Sequence, residues 1–277
     1  MLSVFDILGM ISAISNSAAL SARFGFNRNL AGLNNALLRL STGRRINSGK
    51  DDPAGLIASE QLAAELEALE AESASLRRVD ANANISDGHA SQLSGLYGEL
   101  NGLLVKSANA AGTSDAEIAA NQLEIDNIVG SIQRMTGETV SSLEGINIPN
   151  GGNAEVEALL TGASTSVASL ASGGANDLAS GNLETAQTAV KAAIYDVASA
   201  RGKIGAYQKY TVESLYNSKQ IAIENLAASK SQIVDTDYAV ETSTLMQFRI
   251  LAAASVNVLK IAQHQSQNVL NLLSTDR

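Results

Sequence analysis

The chain has 277 residues, room for one or two domains. Its apolar 45% is almost entirely aliphatic, because aromatic residues make up 4% and Trp is missing, and only two Pro interrupt it; this suits thin helical seams and excludes all-β and collagen-like folds. A formal net charge of −9 opposes nucleic-acid binding, and the lack of Cys excludes disulfide frameworks, thiolate zinc sites and cysteine nucleophiles.

Met1 to Ala22 is apolar, yet no Lys or Arg precedes Arg23 and Asp6 lies inside the run, so the charged start of a secretory signal is missing. Ser3, Ser12, Ser15, Asn16 and Ser17 keep it short of the roughly 18 continuous apolar residues of a membrane span. It reads as an arm, with an amphipathic membrane helix as the alternative. From there Ala19, Arg23, Phe26, Leu30, Leu33, Leu37 and Leu40 alternate spacings of four and three, a coiled-coil seam broken at Arg23. This first helix ends near Thr42-Gly43, and Arg44 to Lys50 forms a connector. Asp51-Asp52-Pro53 opens a second helix, with Asp52 as cap and Pro53 in the first helical position; capping explains the acidic pair without any acid–base chemistry.

The second helix carries Leu62, Leu66, Leu69, Ser73 and Leu76, then Leu93, Leu96, Leu100 and Leu103, with an interruption from Asp80 to Gly88. From 53 to 108 it predicts a rod of roughly 80 Å. Thr113-Ser114-Asp115 caps a third helix with Ile118, Leu123, Ile125, Ile128, Val129 and Ile132 as its apolar positions, ending at Met135. Between Thr136 and Val190 there is no Lys or Arg, six acids and eight of the 22 Gly, so this segment reads as loop-rich and solvent-facing. Ile146 to Gly152 combines short extended pieces with turn residues and suggests a small hairpin. Helical pattern resumes near Leu183 and runs to Val234, with Ile204, Tyr207, Leu215, Ile221 and Leu226 as expected buried positions. Asp235-Thr236-Asp237 caps the last helix, where Leu245, Phe248, Ala252, Ser255, Leu259, Ala262, Ser266, Val269 and Leu273 hold the three-four spacing. An isolated helix with such a seam is marginal in water, so the chain ends must pair with each other, with other copies, or with both.

The segment Leu40-Ser41-Thr42-Gly43-Arg44-Arg45-Ile46-Asn47-Ser48-Gly49-Lys50-Asp51-Asp52-Pro53-Ala54-Gly55 resembles the N-terminal signature of bacterial flagellin. Glu224 to Ile233, Asp235 to Ala239 and Gln267 to Leu273 are similar to its C-terminal signature. The resemblance runs from about Ile14 to Leu273. It implies a mainly α fold, a long antiparallel helical coiled-coil bundle with a small β-hairpin or loop at its tip and no large outer domain. Residues 1–46 and 236–277 would be the two halves of an inner coiled-coil domain, and 47–235 a helical rod that includes the acidic segment 136–190. The implied function is a structural subunit of the extracellular flagellar filament, self-assembling into a helical tube for motility and exported without a cleaved signal peptide.

The expected polymerisation seam is Phe26, Leu30, Leu33, Leu37, Leu40, Leu245, Phe248, Ala252, Leu259, Ala262, Val269 and Leu273, with Asp51, Asp52, Pro53, Asp235 and Asp237 as connector and cap residues. The expected partners are other copies of the chain, with an export chaperone, cap and hook-junction proteins; nucleic acid and stable membrane insertion are not expected. Three departures stand out: about ten residues precede the family's usual start, Ser266 replaces a common proline, and Glu99, Asn101 and Gly102 stand where many flagellins have an Arg-rich stretch read by an animal receptor. His89 and His264 lack metal-ligand spacing, Gly173-Gly174 lacks the strand and Lys of a phosphate loop, and no His-Glu-x-x-His occurs, so no catalytic residue, metal or cofactor is expected. A hook–filament junction protein is the near alternative. A secreted, membrane-inserting helical translocator is the alternative from another class.

Overall fold

The computed structural model describes residues 4–108 and 114–274, and side chains over 19–108 and 114–264. Among the described residues seven α-helices follow one another: α1 (Val4–Thr42), α2 (Pro53–Ala108), α3 (Asp115–Ser142), α4 (Gly152–Ala168), α5 (Leu183–Tyr207), α6 (Glu213–Val234) and α7 (Tyr238–Ser274). A 3-10 turn lies at Leu178–Ser180, and a turn of π-helix, Gln208–Val212, joins α5 to α6. The helices group into two compact units, one drawn from residues up to Leu66 and from Asn225 onward, the other from Glu67 to Glu224.

In the second unit α2, α3, α4 and α5 enclose one apolar core, each contributing residues at alternating spacings of three and four. α5 supplies Ala186, Val190, Ala193, Val197, Ala200, Ile204 and Tyr207. α2 does not interrupt its seam between Asp80 and Gly88: Ala83, Ser86 and Ala90 are fully buried and carry the pattern through with small side chains. Ser86 Oγ meets Ser142 Oγ at 2.7 Å, linking α2 to the end of α3. α2 runs antiparallel to α5 and α6, with Asp87 against Arg201 at 2.8 Å, Arg77 over the Tyr216 ring and Glu72 against Lys219 at 2.5 Å.

The segment expected to be loop-rich is largely helical, and the hairpin is absent: among the described residues there is no strand. α3 continues past Met135 to Ser142. Ile146 to Gly151 is instead a turn, with Asn150 and Gly151 both at positive φ, closed by Asn153, whose side chain accepts from the Ile148 N–H and donates to the Ile146 carbonyl. α4 follows and buries Val156, Leu160, Ala163 and Val167. Its Ala, Gly, Ser and Thr content conceals it from periodicity, but a seam of small residues still buries against α5.

Two further expectations are corrected in part. Of the apolar positions expected in α3, Ile125, Val129 and Ile132 are buried but Leu123 is 64% exposed. Beyond the π turn, Val212 is buried and Tyr216 and Lys219 half-buried, whereas Leu215 and Ile221 face solvent. One inserted residue between Tyr207 and Val212 moves the seam along by one position.

Candidate assembly surface at the paired terminal helices

In the first unit α1 and α7 pair antiparallel. Asn29 Nδ2 donates to Ser255 Oγ at 2.7 Å and to the Leu251 carbonyl at 3.3 Å, and Arg39 Nη1 stands 3.7 Å from the Glu241 carboxylate. Glu241 is 8% exposed. Gly32 receives the Phe248 ring so closely that a Cβ there would lie 2.5 Å from a ring carbon. The seam on α1 comprises Ala22, Phe26, Asn29, Leu33, Ala36 and Leu40, at spacings alternating between four and three.

Not all of the expected seam meets α7. Phe26, Leu33 and Leu40 are half-buried on that face, while Leu30 and Leu37 are exposed, one position further round the helix. On α7 the expected residues Leu245, Phe248, Ala252 and Leu259 are half-buried and Ala262 is buried. The side chains of Ser266, Val269 and Leu273 lie outside the described residues. Sequence periodicity missed Asn29 and Arg39 because both are polar, and Gly32 and Ala36 because they are small.

The outward faces of both helices also carry large apolar side chains. Leu20, Phe24, Leu30 and Leu37 line α1, and Val240, Met246, Ile250, Val258 and Ile261 line α7, with Phe24 65% and Ile250 68% exposed. Exposed apolar side chains gathered on two paired helices mark an association site. Tyr238 to His264 is long and apolar enough to cross a membrane by length and composition.

A clamp closes the end of this pair. Arg44 and Asp235 form an isolated antiparallel bridge, the Arg45 N–H donates to the Val234 carbonyl at 2.6 Å, and the Thr236 N–H donates to the Gly43 carbonyl at 2.9 Å. The Arg45 guanidinium donates to the Ile233 carbonyl and stands 3.9 Å from Asp52. Asp51 and Asp52 divide the work beside it: Asp51 accepts from the Asn47 and Ser48 N–H groups and the Ser48 hydroxyl, and Asp52 accepts from the Gly55 N–H at the start of α2, where Pro53 is the first helical residue. Those bonds, the Asn47 N–H first, hold the Asp51 carboxyl below its ordinary pKa. Asp237 accepts from the Ala239 and Val240 N–H groups and caps α7, while Asp235 takes the Ser231 hydroxyl. Among the described residues no three His, Asp or Glu side chains converge on a point that could hold a metal.

The bacterial flagellin N-terminal helical region matches residues 14–153, and the bacterial flagellin C-terminal helical region matches residues 187–273. A flagellar filament 30.7 kDa core protein of Treponema maltophilum is 28% identical over 259 residues, covering 85% of this chain and 90% of its own length. A flagellin of Bacillus subtilis is 28% identical over 300 residues, covering 93% of this chain and 98% of its own. A flagellin of Salmonella rubislaw, 29% identical over 193 residues, is matched over 67% of this chain but only 39% of itself. Helical terminal regions in the family's order, without the extra length of that longer relative, make this chain a short-form member of the bacterial flagellin family and a structural subunit of the flagellar filament.

Proposed function

We propose that copies of the chain join through the terminal helices, with the inner face of each α1–α7 pair closed within the chain and the outer face buried by neighbouring copies. Contacts of this heterologous kind do not close on themselves and extend into a helical filament. Phe26, Leu33, Leu40, Leu245, Phe248, Ala252, Leu259 and Ala262 then build the pair, Leu30 and Leu37 face the next copy, and Val269 and Leu273 extend the seam. Residues 1–46 and 236–277 act as the two halves of the inner domain, and 47–235 as the rod. The chain works as a structural element and not as an enzyme, leaves the cell without loss of an N-terminal signal, and meets an export chaperone, a cap and hook-junction proteins on its way.

The observation that carries this reading is the apolar outer face: Leu20, Phe24, Ile250 and Ile261 are each more than half exposed in a chain whose net charge is −9. The test is seeded polymerisation of Ile250→Asp with Ile261→Asp. Filaments fail to grow while the helical unfolding transition is unchanged; growth at the native rate overturns the reading. The apolarity of Tyr238 to His264 supports a second reading, membrane insertion by a secreted translocator. Stable binding of the soluble chain to phosphatidylglycerol-containing vesicles, with no filaments on seeding, selects that one instead.

A further inference from the structure

Met246 stands on the side of α7 that faces away from α1. Met246, Ile250, Ala253 and Ile261 fall within about 80° of one another round the helix, with Ser243 and Asn257 in the same arc, whereas Phe248, Ser255 and Ala262 lie opposite. Met246 is 56% exposed. Beside it the Thr242 and Ser243 hydroxyls both donate to the Ala239 carbonyl, at 3.1 and 2.9 Å, so it is their carbon atoms that share a shallow groove with the thioether, Gln247, Ile250 and Leu251. No charged residue lies between Glu241 and Arg249.

Met246 is also the most accessible sulfur among the described side chains. The chain has four Met and no Cys, so no thiol of its own meets an oxidant before the thioethers do. Met135 is half-buried against the apolar core, and the side chains of Met1 and Met10 lie outside the described residues. An unbranched thioether adapts its shape to whatever packs on it, whereas the sulfoxide is polar and chiral and disrupts such a contact.

We infer that Met246 is an oxidation-sensitive modification site that regulates assembly: the thioether belongs to the face that neighbouring copies bury, and the sulfoxide keeps a soluble chain from joining. The oxidant is a peroxide, with hydrogen peroxide the simplest. A sulfur lone pair attacks one peroxide oxygen, the O–O bond breaks as the S–O bond forms, and the departing hydroxide takes the proton of the transferred oxygen and leaves as water. Sulfur gives up two electrons and the peroxide is reduced. Methionine sulfoxide reductase reverses the change, with two thiols becoming a disulfide and the oxygen leaving as water. The inference rests on the proposed assembly role, because only burial by another copy makes the sulfoxide's polarity costly. In the filament Met246 is covered, so the soluble chain is the sensitive state.

The soluble full-length chain is treated with hydrogen peroxide, the oxidised residues are located by peptide mass mapping, and growth is followed on seeds of untreated native filament. Met246 gains one oxygen well before Met135 does, and seeded growth falls by about tenfold while the helical unfolding transition is unchanged. Reductase with dithiothreitol restores growth. Met246→Leu, of similar volume and without sulfur, grows after peroxide as it does before. Met246→Gln, a polar side chain of similar length, grows slowly with no peroxide at all. Equal loss of growth in oxidised Met246→Leu, growth of Met246→Gln at the native rate, or oxidation of Met246 no faster than of Met135 overturns the inference. Failure of the untreated native chain to grow, or oxidation of Met246 in native filaments as fast as in the soluble chain, overturns the reading of this face as an assembly surface instead.

Discussion

Asp126 shows how single side chains hold the acidic segment in place. Its carboxylate accepts from the Ser172 hydroxyl at 2.5 Å, the Ser172 N–H at 2.8 Å and the Gln122 amide at 2.9 Å, while Gln122 also bonds the Leu170 carbonyl and the Leu178 N–H. Two residues of α3 thus satisfy the backbone of the turn that follows α4, which buries Leu170 in the core. Burial is the largest single influence on Asp126 and raises its pKa, but the bonds from Ser172 and Gln122 together outweigh it and leave the carboxyl below its ordinary value. A carboxyl lowered in the folded state contributes stability that is complete above the unfolded value, near 4, and is lost as pH falls through the folded value below it. The thermal stability difference between the native chain and Asp126→Asn is therefore constant from pH 5 to 8 and shrinks below about pH 4. It stays under about 1 kcal/mol, since solvent screens a carboxylate this exposed. Melting curves across that range check both the sign and the window. Neither Asp126 nor Gln122 was legible as a tether, because their partners lie about 50 residues away and a polar residue on a helix has no periodic signature.

At the scale of elements, the π turn at Gln208–Val212 explains why the burial pattern of α6 departs from expectation. Up to Tyr207 the α5 seam alternates three and four; Val212 follows five residues later, and Tyr216 and Lys219 then resume the alternation. The extra residue is absorbed by widening one turn, and beside it lies an open cleft of about 570 Å3 lined by Leu76, Arg77, Gln208, Val212 and Tyr216 among others. Gln208 bridges the gap to Asp80 and Asn84 on α2. Deleting the exposed Lys209 turns this stretch into ordinary α-helix with an unbroken seam, and leaves the unfolding temperature unchanged or raises it. Deleting Ala198 instead rotates Ala200, Ile204 and Tyr207 off the core, while the residues from Val212 onward keep their register, at a cost above about 3 kcal/mol. Calorimetry on the two deletions decides the matter: equal destabilisation would show that the π turn is no register adapter. No periodicity count finds such a turn, because it looks like a seam that has slipped by one residue.

For the whole molecule, the apolar core that runs from Leu76 to Val212 contains, among the described residues, none of α1 or α7. The second unit therefore has its own burial to set against chain entropy, of about 1 to 2 kcal/mol per ordered residue, whereas α1 and α7 have chiefly each other. A chain ending at Asp235 keeps a cooperative helical transition by circular dichroism and gives no filaments when seeded. It also leaves the inner face of α1 open, so its N-terminal helix becomes protease-sensitive. Filament growth by this truncation, or loss of its helical transition, would show that the terminal pair and the core unit are not separable in this way.

The starts of α2, α3 and α7 were determined by the sequence itself, because capping and turn chemistry act over a few residues: Asp52 before Pro53, Ser114 before α3 and Asp237 before α7 each accept the N–H groups their spacing suggested. The apolar stripe of α7 was equally legible, since its large side chains recur at helical spacing within one segment. The family signature was legible for the same local reason. Only the tertiary structure decided which stripe of α1 is closed within the chain, that small residues carry α2 through its apparent gap, and that α4 replaces a loop and hairpin. Each of those outcomes turns on shape and hydrogen bonding between residues far apart in sequence, 226 positions in the case of Asn29 and Ser255. Hydrophobic periodicity follows large apolar side chains, and here the closed face of α1 sets Phe26, Leu33 and Leu40 among Asn29, Gly32, Ala36 and Arg39, whose fit depends on partners in α7.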